Sequence, residues 1–455
     1  MKINKALVIG MARSGIACVK LLALRGAQVI VNDSKTIDKF EDGLVELRLP
    51  GVEFQLGVDP TTLLEGCDAL IISPGVPITA PVVVKAQEMG VEVLGELEYA
   101  YREACGRLMA ITGTNGKTTT TTLLSEIFKD AGDVVHTVGN IGIPYTGDVP
   151  GMKDTDVTVC EVSSFQLETV KEFHPEVAAV LNISEDHLNR HGDMETYIAM
   201  KKRIFALSEG KDSVVLNWDD PVTREMAKDV KCNVVWFSTE EAVPYGAFAV
   251  EGMMVYGSKN SYTPVCPASE LQIPGRHNLA NALAATAMAM AAGVPAESIA
   301  KTLRRFTSVE HRIEFTREVS GVKFYNDSKG TNVDSTIQAV RAMDRPSVLI
   351  VGGYDKHTDF TPMVEEIKKS RIEKIVLIGD TAKQIAETLD KCGFSAYEHA
   401  GYDFVKAIER AFELAADGGS VLLSPACASF DMFKDYEARG REFKRIVKDL
   451  EPKKL

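Results

Sequence analysis

Between Ala110 and Thr119 the chain reads Ala-Ile-Thr-Gly-Thr-Asn-Gly-Lys-Thr-Thr. An apolar run ends in a turn with two glycines, and a lysine and hydroxyl side chains follow. Gly113 and Gly116 let the backbone curl so that N–H groups converge on one anion. The next stretch, TTTTTLLSEIF, predicts a helix. Its N-terminus adds about half a positive charge at the same place. Lys117 is then placed to reach the outer phosphates of ATP, and the Thr118 hydroxyl to bind magnesium. Gly113, Thr114, Asn115, Gly116, Lys117, Thr118 and Thr119 are the candidate ATP-holding residues of this loop. The spacing departs from G-x-x-x-x-G-K-[ST], because position 111 is Ile. The competing reading is a plain strand-to-helix turn with a chance lysine.

Other polar residues stand where chemistry is possible. Glu161 lies in the apolar run VTVCEV. A carboxylate there is costly unless something compensates it, as magnesium would; a solvent-facing carboxylate is the plainer alternative. His187 follows AAVLNIS, at a strand end where α/β proteins gather ligands. A structural histidine reads equally well. Lys201 and Lys202, in METYIAMKKRIF, read by themselves as a solvated helix face. Gly10-Met-Ala-Arg-Ser-Gly15 opens a helix after the first strand, with Asp33 at the end of the next. This is not G-x-G-x-x-G, so NAD, another nucleotide and a structural turn all stay open. Ser73-Pro-Gly-Val-Pro77 ends another strand of that region. Asn326-Asp-Ser-Lys329, Gly352-Gly-Tyr-Asp-Lys356 and Ser424-Pro-Ala-Cys-Ala-Ser429 each follow a predicted strand, which suggests one ligand-binding sheet edge.

The elements that position these residues alternate between strand and helix. KALVIG, AQVIVND, ALIISPG, LMAITG, VTVCEV, AAVLNIS, SVVLN, PSVLIVGG, KIVLIGD and SVLLSP are short apolar runs, mostly followed by a polar turn and a helical pattern. Unbroken apolar strands between helices imply parallel sheets covered on both faces. The expected fold class is α/β with three domains, at residues 1–95, 96–308 and 309–455. Residues 243–267, rich in Gly, Tyr and Val, predict a small β excursion. Ala282 to Val294 is too short to span a bilayer, which needs about 20 residues, and reads as a buried helix. The net charge of −13 argues against a nucleic-acid surface. None of the eight cysteines forms a C-x-x-C pair. Nothing resembles a signal peptide, so a cytoplasmic location is expected.

Taken together, GMARSG, SPGVP, ITGTNGKTTT, GNIG, EVSSFQLE, ISEDHLNRH, YIAMKKRIF, IPGRHNLANALAA, EHRIEF, YNDSKGTN, GGYDK and SPACASFDMFKDYEARG resemble, in that order, the Mur ligase family over nearly the whole chain. EVSSFQLE and SPACASFDMF favour its D-glutamate-adding branch. The resemblance implies an N-terminal Rossmann-like domain, a central P-loop ATPase-like domain with a mostly parallel sheet, and a C-terminal Rossmann-like domain. It implies ATP-dependent addition of D-glutamate to UDP-N-acetylmuramoyl-L-alanine through an acyl phosphate, in peptidoglycan precursor synthesis. By resemblance, Arg13, Ser14, Ser34, Lys35, Ser73, Gly75 and Asn140 hold the UDP substrate. Thr118, Glu161, His187 and Lys201 organise two magnesium ions, Lys201 as a carbamate. Asn278, Asn281, Arg312 and Asp327 meet ATP. Lys329, Thr331, Lys356, Ser429 and Tyr436 surround D-glutamate and the reaction centre. Catalysis then falls to Lys117, Glu161, His187 and Lys201. Lys35, Phe430 and Tyr436 stand where the family pattern has Arg, Leu and Phe. A monomer without nucleic-acid or membrane partners is expected. The alternatives are a sibling ligase with another amino acid, an NAD-linked oxidoreductase using the first turn, and a non-catalytic nucleotide-binding protein.

Overall fold

The computed structural model describes residues 2–40, 44–273, 275–307, 310–354 and 358–452. It holds three sheets. The first is parallel throughout, with strands Val52–Phe54, Gln28–Asn32, Lys5–Ile9, Ala69–Ile72 and Glu92–Gly95 side by side in that order. Ala69–Ile72 is buried at every residue, as a strand covered on both faces must be.

The second sheet has nine strands. Their order is Ser261–Pro267, Met253–Ser258, Gly246–Val250, Lys231–Ser238, Glu209–Asn217, Val177–Val180, Arg107–Thr112, Val157–Glu161 and Val135–Gly139. The expected excursion at 243–267 is the three-stranded antiparallel meander at one edge. The rest is parallel.

One apolar core runs from Val8 and Val31 of the first sheet through Leu97, Tyr99 and Tyr145 to Val180 and Val214 of the second. Accordingly Met1–Glu270 and Ala280–Arg304 make one compact unit. The expected division after residue 95 falls between the strand Glu92–Gly95 and the helix Glu96–Glu103. The expected division at 308 and 309 lies outside the described residues.

The other unit is Leu271–Leu279 with Arg305–Leu455. Its six strands lie in the order Glu314–Val319, Val322–Asn326, Ser420–Leu423, Ser347–Gly352, Ile372–Ile378 and Tyr397–Gly401, antiparallel only between the first two. Ala282 to Val294 falls largely within the helix Arg276–Ala291, where Ala282 to Ala285 are fully buried. Among the described residues no helix is long and apolar enough to cross a membrane.

Gly15 lies in the first turn of the helix Arg13–Leu24, and its spacing from Gly10 has a packing cause. A Cβ on Gly15 would sit 1.8 Å from the Gly10 carbonyl oxygen. Only a hydrogen fits there, so the helix starts hard against the preceding turn.

Candidate active site

The strand Arg107–Thr112 lies between Val157–Glu161 and Val177–Val180. Its C-terminal end is thus a crevice between neighbouring connections, where open α/β sheets bind ligands. The loop leaving it is pinned from the strand next door. Asn182 accepts from Thr114 N through its carbonyl (3.0 Å) and from Asn115 N through its side chain (2.8 Å). Its amide donates back to the Asn115 carbonyl at 3.1 Å. The Thr114 hydroxyl is spent on Ser184 and on Tyr197 Oη, 3.1 Å away. Gly116 has φ +83°, and a Cβ there would meet Asn281 Oδ1 at 2.2 Å. The helix Lys117–Ala131 follows, with the Thr118 and Thr119 side chains buried in its first turn. Asn182 did not stand out in the sequence; an Asn directly after an apolar strand was the available signal.

Glu161 ends its strand only 1% exposed. One carboxylate oxygen accepts from Asn140 Nδ2 at 2.8 Å, and Oε2 has no partner among the described residues. The solvent-facing reading of Glu161 is therefore wrong. A buried oxygen without a donor fits a hard cation. Among the described residues no three His, Cys, Asp or Glu side chains group to hold a metal by themselves.

The two neighbouring lysines part company. Lys202 is a partly exposed residue paired with Asp229 at 2.6 Å. Lys201 is 2% exposed. Its Nζ donates to the Gly113 carbonyl at 2.9 Å and lies 4.7 Å from the centre of the Tyr197 ring. The solvated-face reading holds for Lys202 and fails for Lys201. Burial drives the Lys201 amine well below the ordinary lysine range; the Lys117 charge lowers it further, and Asp186 and Glu161 oppose. These four groups therefore share one electrostatic neighbourhood. His187 sits in the left-handed region (φ +55°), with its side chain 47% exposed. Its ring packs 4.8 Å from Phe165, and its Nε2 lies 3.5 Å from Asp186.

The candidate substrate turns of the first sheet are organised by Asp33 and Ser73. Asp33 accepts from Met11 N (2.8 Å) and Lys35 N (2.9 Å), and Ser73 Oγ donates to the Gly10 carbonyl at 2.8 Å. Ser34 and Lys35 are exposed. Arg13 reaches the Gly142 carbonyl at 3.4 Å. Asn140, expected at the UDP substrate, sits on Glu161 and so links the two residue sets.

In the second unit, all three predicted polar turns leave adjacent strands at one edge. Ser424 Oγ donates to Asp327 at 2.7 Å, and Gly352 N donates to the Pro425 carbonyl at 2.9 Å. Burial pushes the Asp327 carboxyl up to about 6 against the opposing charge of Arg312. Arg312 Nε is buried with no partner among the described residues. Ser429 is buried, Thr331 half-buried, and Lys329 Nζ lies 5.6 Å from the centre of the Tyr436 ring. Asn278 of this unit and Asn281 of the first unit are both buried on the helix Arg276–Ala291. Lys356 lies outside the described residues. Sequence reasoning missed Arg439, which is fully buried and donates to Ser328 and to the Cys427 and Ala428 carbonyls.

Three family models match the chain: a Mur ligase MurD-like N-terminal domain over 4–95, a Mur ligase middle domain over 111–289, and a Mur ligase glutamate ligase domain over 311–427. The chain belongs to the Mur ligase family. The middle-domain match contains the Lys117 loop, Glu161, His187 and Lys201, and the glutamate ligase match contains Asp327 and Ser424. Relatives of this Mur ligase include UDP-N-acetylmuramoylalanine--D-glutamate ligases of Thermoanaerobacter sp. strain X514, 45% identical over 99% of both chains, and of Pelotomaculum thermopropionicum, 45% identical over 98% of both. Among solved structures, UDP-N-acetylmuramate-alanine ligase MurC of Thermotoga maritima matches with a TM-score of 0.62 at 18% identity, over 98% of this chain and 99% of that one. A pseudomurein peptide ligase type C of Methanothermus fervidus matches with a TM-score of 0.60 at 20% identity, over the same shares. These two show the Mur ligase fold.

Proposed function

We propose that this chain joins D-glutamate to UDP-N-acetylmuramoyl-L-alanine with hydrolysis of ATP, in peptidoglycan precursor synthesis. The observation that carries the reading is the full-length match to relatives named for that reaction. In this reading residues 1–95 take the UDP substrate, 96–308 take ATP, and 309–455 take the amino acid.

The substrate carboxylate attacks the γ-phosphate of ATP, the bond to the β-phosphate oxygen breaks, and ADP leaves an acyl phosphate. The D-glutamate amine attacks the acyl carbon, loses a proton, and inorganic phosphate departs as the amide forms. The first step brings two anions together, so positioning and charge neutralisation do most of the work. Lys117 supplies a fixed cation at the loop, and the amides at the helix start supply further donors. Bound magnesium would add Lewis-acid neutralisation of the transferring phosphoryl group. Thr118, Glu161 and His187 would hold it, with Lys201 completing the set for a second ion. For Lys201 this requires chemistry at the amine. A neutral Nζ attacks carbon dioxide, an N–C bond forms, a proton leaves, and the resulting carbamate is an anion. The burial of Lys201 supports this, because it lowers the amine's pKa and so favours the uncharged form.

On the substrate side, Arg13, Ser14, Ser34, Lys35, Ser73, Gly75 and Asn140 hold the UDP substrate. Lys329, Thr331, Lys356, Ser429 and Tyr436 receive D-glutamate. Asn278, Asn281, Arg312 and Asp327 meet the nucleotide. The experiment that tests the reading offers purified protein UDP-N-acetylmuramoyl-L-alanine, ATP and magnesium with D-glutamate, L-glutamate, L-lysine or meso-diaminopimelate, and reads product mass. D-Glutamate alone is expected to add. Preferential addition of another amino acid would make this chain a sibling ligase.

A further inference from the structure

The segment after His187 carries an arginine that the mechanism above does not use. Arg190 Nε and Nη2 donate to the two carboxylate oxygens of Glu168 at 3.1 and 2.6 Å. The same guanidinium donates to the Val76 carbonyl at 3.0 Å and to the Gly75 carbonyl at 3.4 Å. Its Cζ lies over the Phe165 ring, 5.2 Å from the ring centre, and that ring packs on His187. The Arg190 and Glu168 side chains are 16% and 5% exposed, so this fork is shielded from solvent screening.

Three pieces of chain thus meet on one side chain. The first is the Ser73–Pro77 turn of the first sheet. The second is Phe165 to Glu168, a few residues past Glu161. The third is the segment that begins at His187. Lysine could not do the same. A planar fork has donors at fixed angles for a carboxylate and for carbonyls beyond it, whereas an ammonium is a point charge on a flexible stem.

We propose that Arg190 is a positioning residue that locks the Ser73–Pro77 turn to the His187 segment, so that docking of the UDP substrate and alignment of the phosphoryl-transfer groups are coupled. This rests on the reading that the turn receives UDP-N-acetylmuramoyl-L-alanine.

The test measures steady-state kinetics for both substrates, together with thermal stability, in Arg190→Ala and Arg190→Lys. A hydrogen bond to a charged group corresponds to roughly a tenfold to hundredfold change. Both variants are expected to raise KM for the UDP substrate by about tenfold or more and to lower kcat, while KM for ATP stays within about twofold. Arg190→Lys is expected to keep a near wild-type Tm, which separates lost positioning from lost folding should Arg190→Ala fold poorly. Wild-type kinetics in Arg190→Lys would overturn the proposal, as would equal KM changes for both substrates that track a fallen Tm. Wild-type protein that does not bind UDP-N-acetylmuramoyl-L-alanine would overturn the substrate reading and this coupling with it. That failure is distinguishable, because it shows before any substitution is made.

Discussion

Lys117 and Lys201 donate to the same oxygen, the Gly113 carbonyl, each at 2.9 Å. Two ammonium groups on one acceptor repel each other, and Lys201 is the buried one. Burial and the neighbouring Lys117 charge both drive the Lys201 pKa down. The arrangement favours the neutral, nucleophilic form of the Lys201 amine.

Lys201→Ala is expected to reduce kcat by at least about a hundredfold, the scale of losing a preorganised charge in a dry site. Lys202→Ala, which removes only an ion pair to Asp229, is expected to stay near wild type. Added formate or acetate should restore part of the Lys201→Ala activity by filling the vacated anion position. A wild-type kcat in Lys201→Ala would end the assignment.

Lys117→Ala should abolish ligation with little change in fold or in binding of the UDP substrate. The side chain donates to two loop carbonyls, those of Gly113 and Thr114. Turnover at saturating ATP and magnesium, together with calorimetric binding of the UDP substrate, checks both halves. Near-normal turnover would refute the phosphate-loop assignment.

D-Glutamate carries two carboxylates, and Lys356 and Ser429 offer a cation and a hydroxyl. Losing one charge-assisted hydrogen bond costs about 1.5–3 kcal/mol. Lys356→Ala should therefore raise KM for D-glutamate roughly tenfold to a hundredfold and leave KM for ATP nearly unchanged. Equal changes in both constants would count against it.

Asp327 gives a pH dependence whose sign is fixed by its burial. Its carboxyl is raised from 3.8 to about 6, so the folded state holds the proton more tightly than the unfolded chain. The associated stability is fully present below 3.8 and is lost as pH rises through about 6. The loss is about 3 kcal/mol. Hydrogen exchange of the Val322–Asn326 strand, compared between wild type and Asp327→Asn, reads it out. Wild type should lose protection relative to the variant between about pH 4 and about pH 7. A constant difference across that range would contradict the raised pKa.

Much of this fold was legible because buried parallel strands are written as unbroken apolar runs. The strands that went unread are mostly edge strands. Val52–Phe54, Val135–Gly139 and Tyr397–Gly401 keep most residues partly exposed and alternate with polar side chains, so they carry no such run. The strand, two-glycine turn and helix around Lys117 were legible from local sequence alone, as were the three polar turns of the last sheet. The fate of Lys201 was not. In the helix Met194–Lys202 only Tyr197 and Lys201 are buried, four residues apart on one face, and two residues make too faint a stripe to read. Asn182, Arg190 and Arg439 were missed for another reason: each acts on chain segments distant in sequence, which no local pattern announces.

The most direct measurement is ADP release from ATP and magnesium with UDP-N-acetylmuramoyl-L-alanine and D-glutamate, each alone and both together. Sustained release is expected only with both, in step with formation of the amide product and loss of D-glutamate, one for one. ADP release independent of either substrate, or no release with both present, would contradict a ligase of this kind.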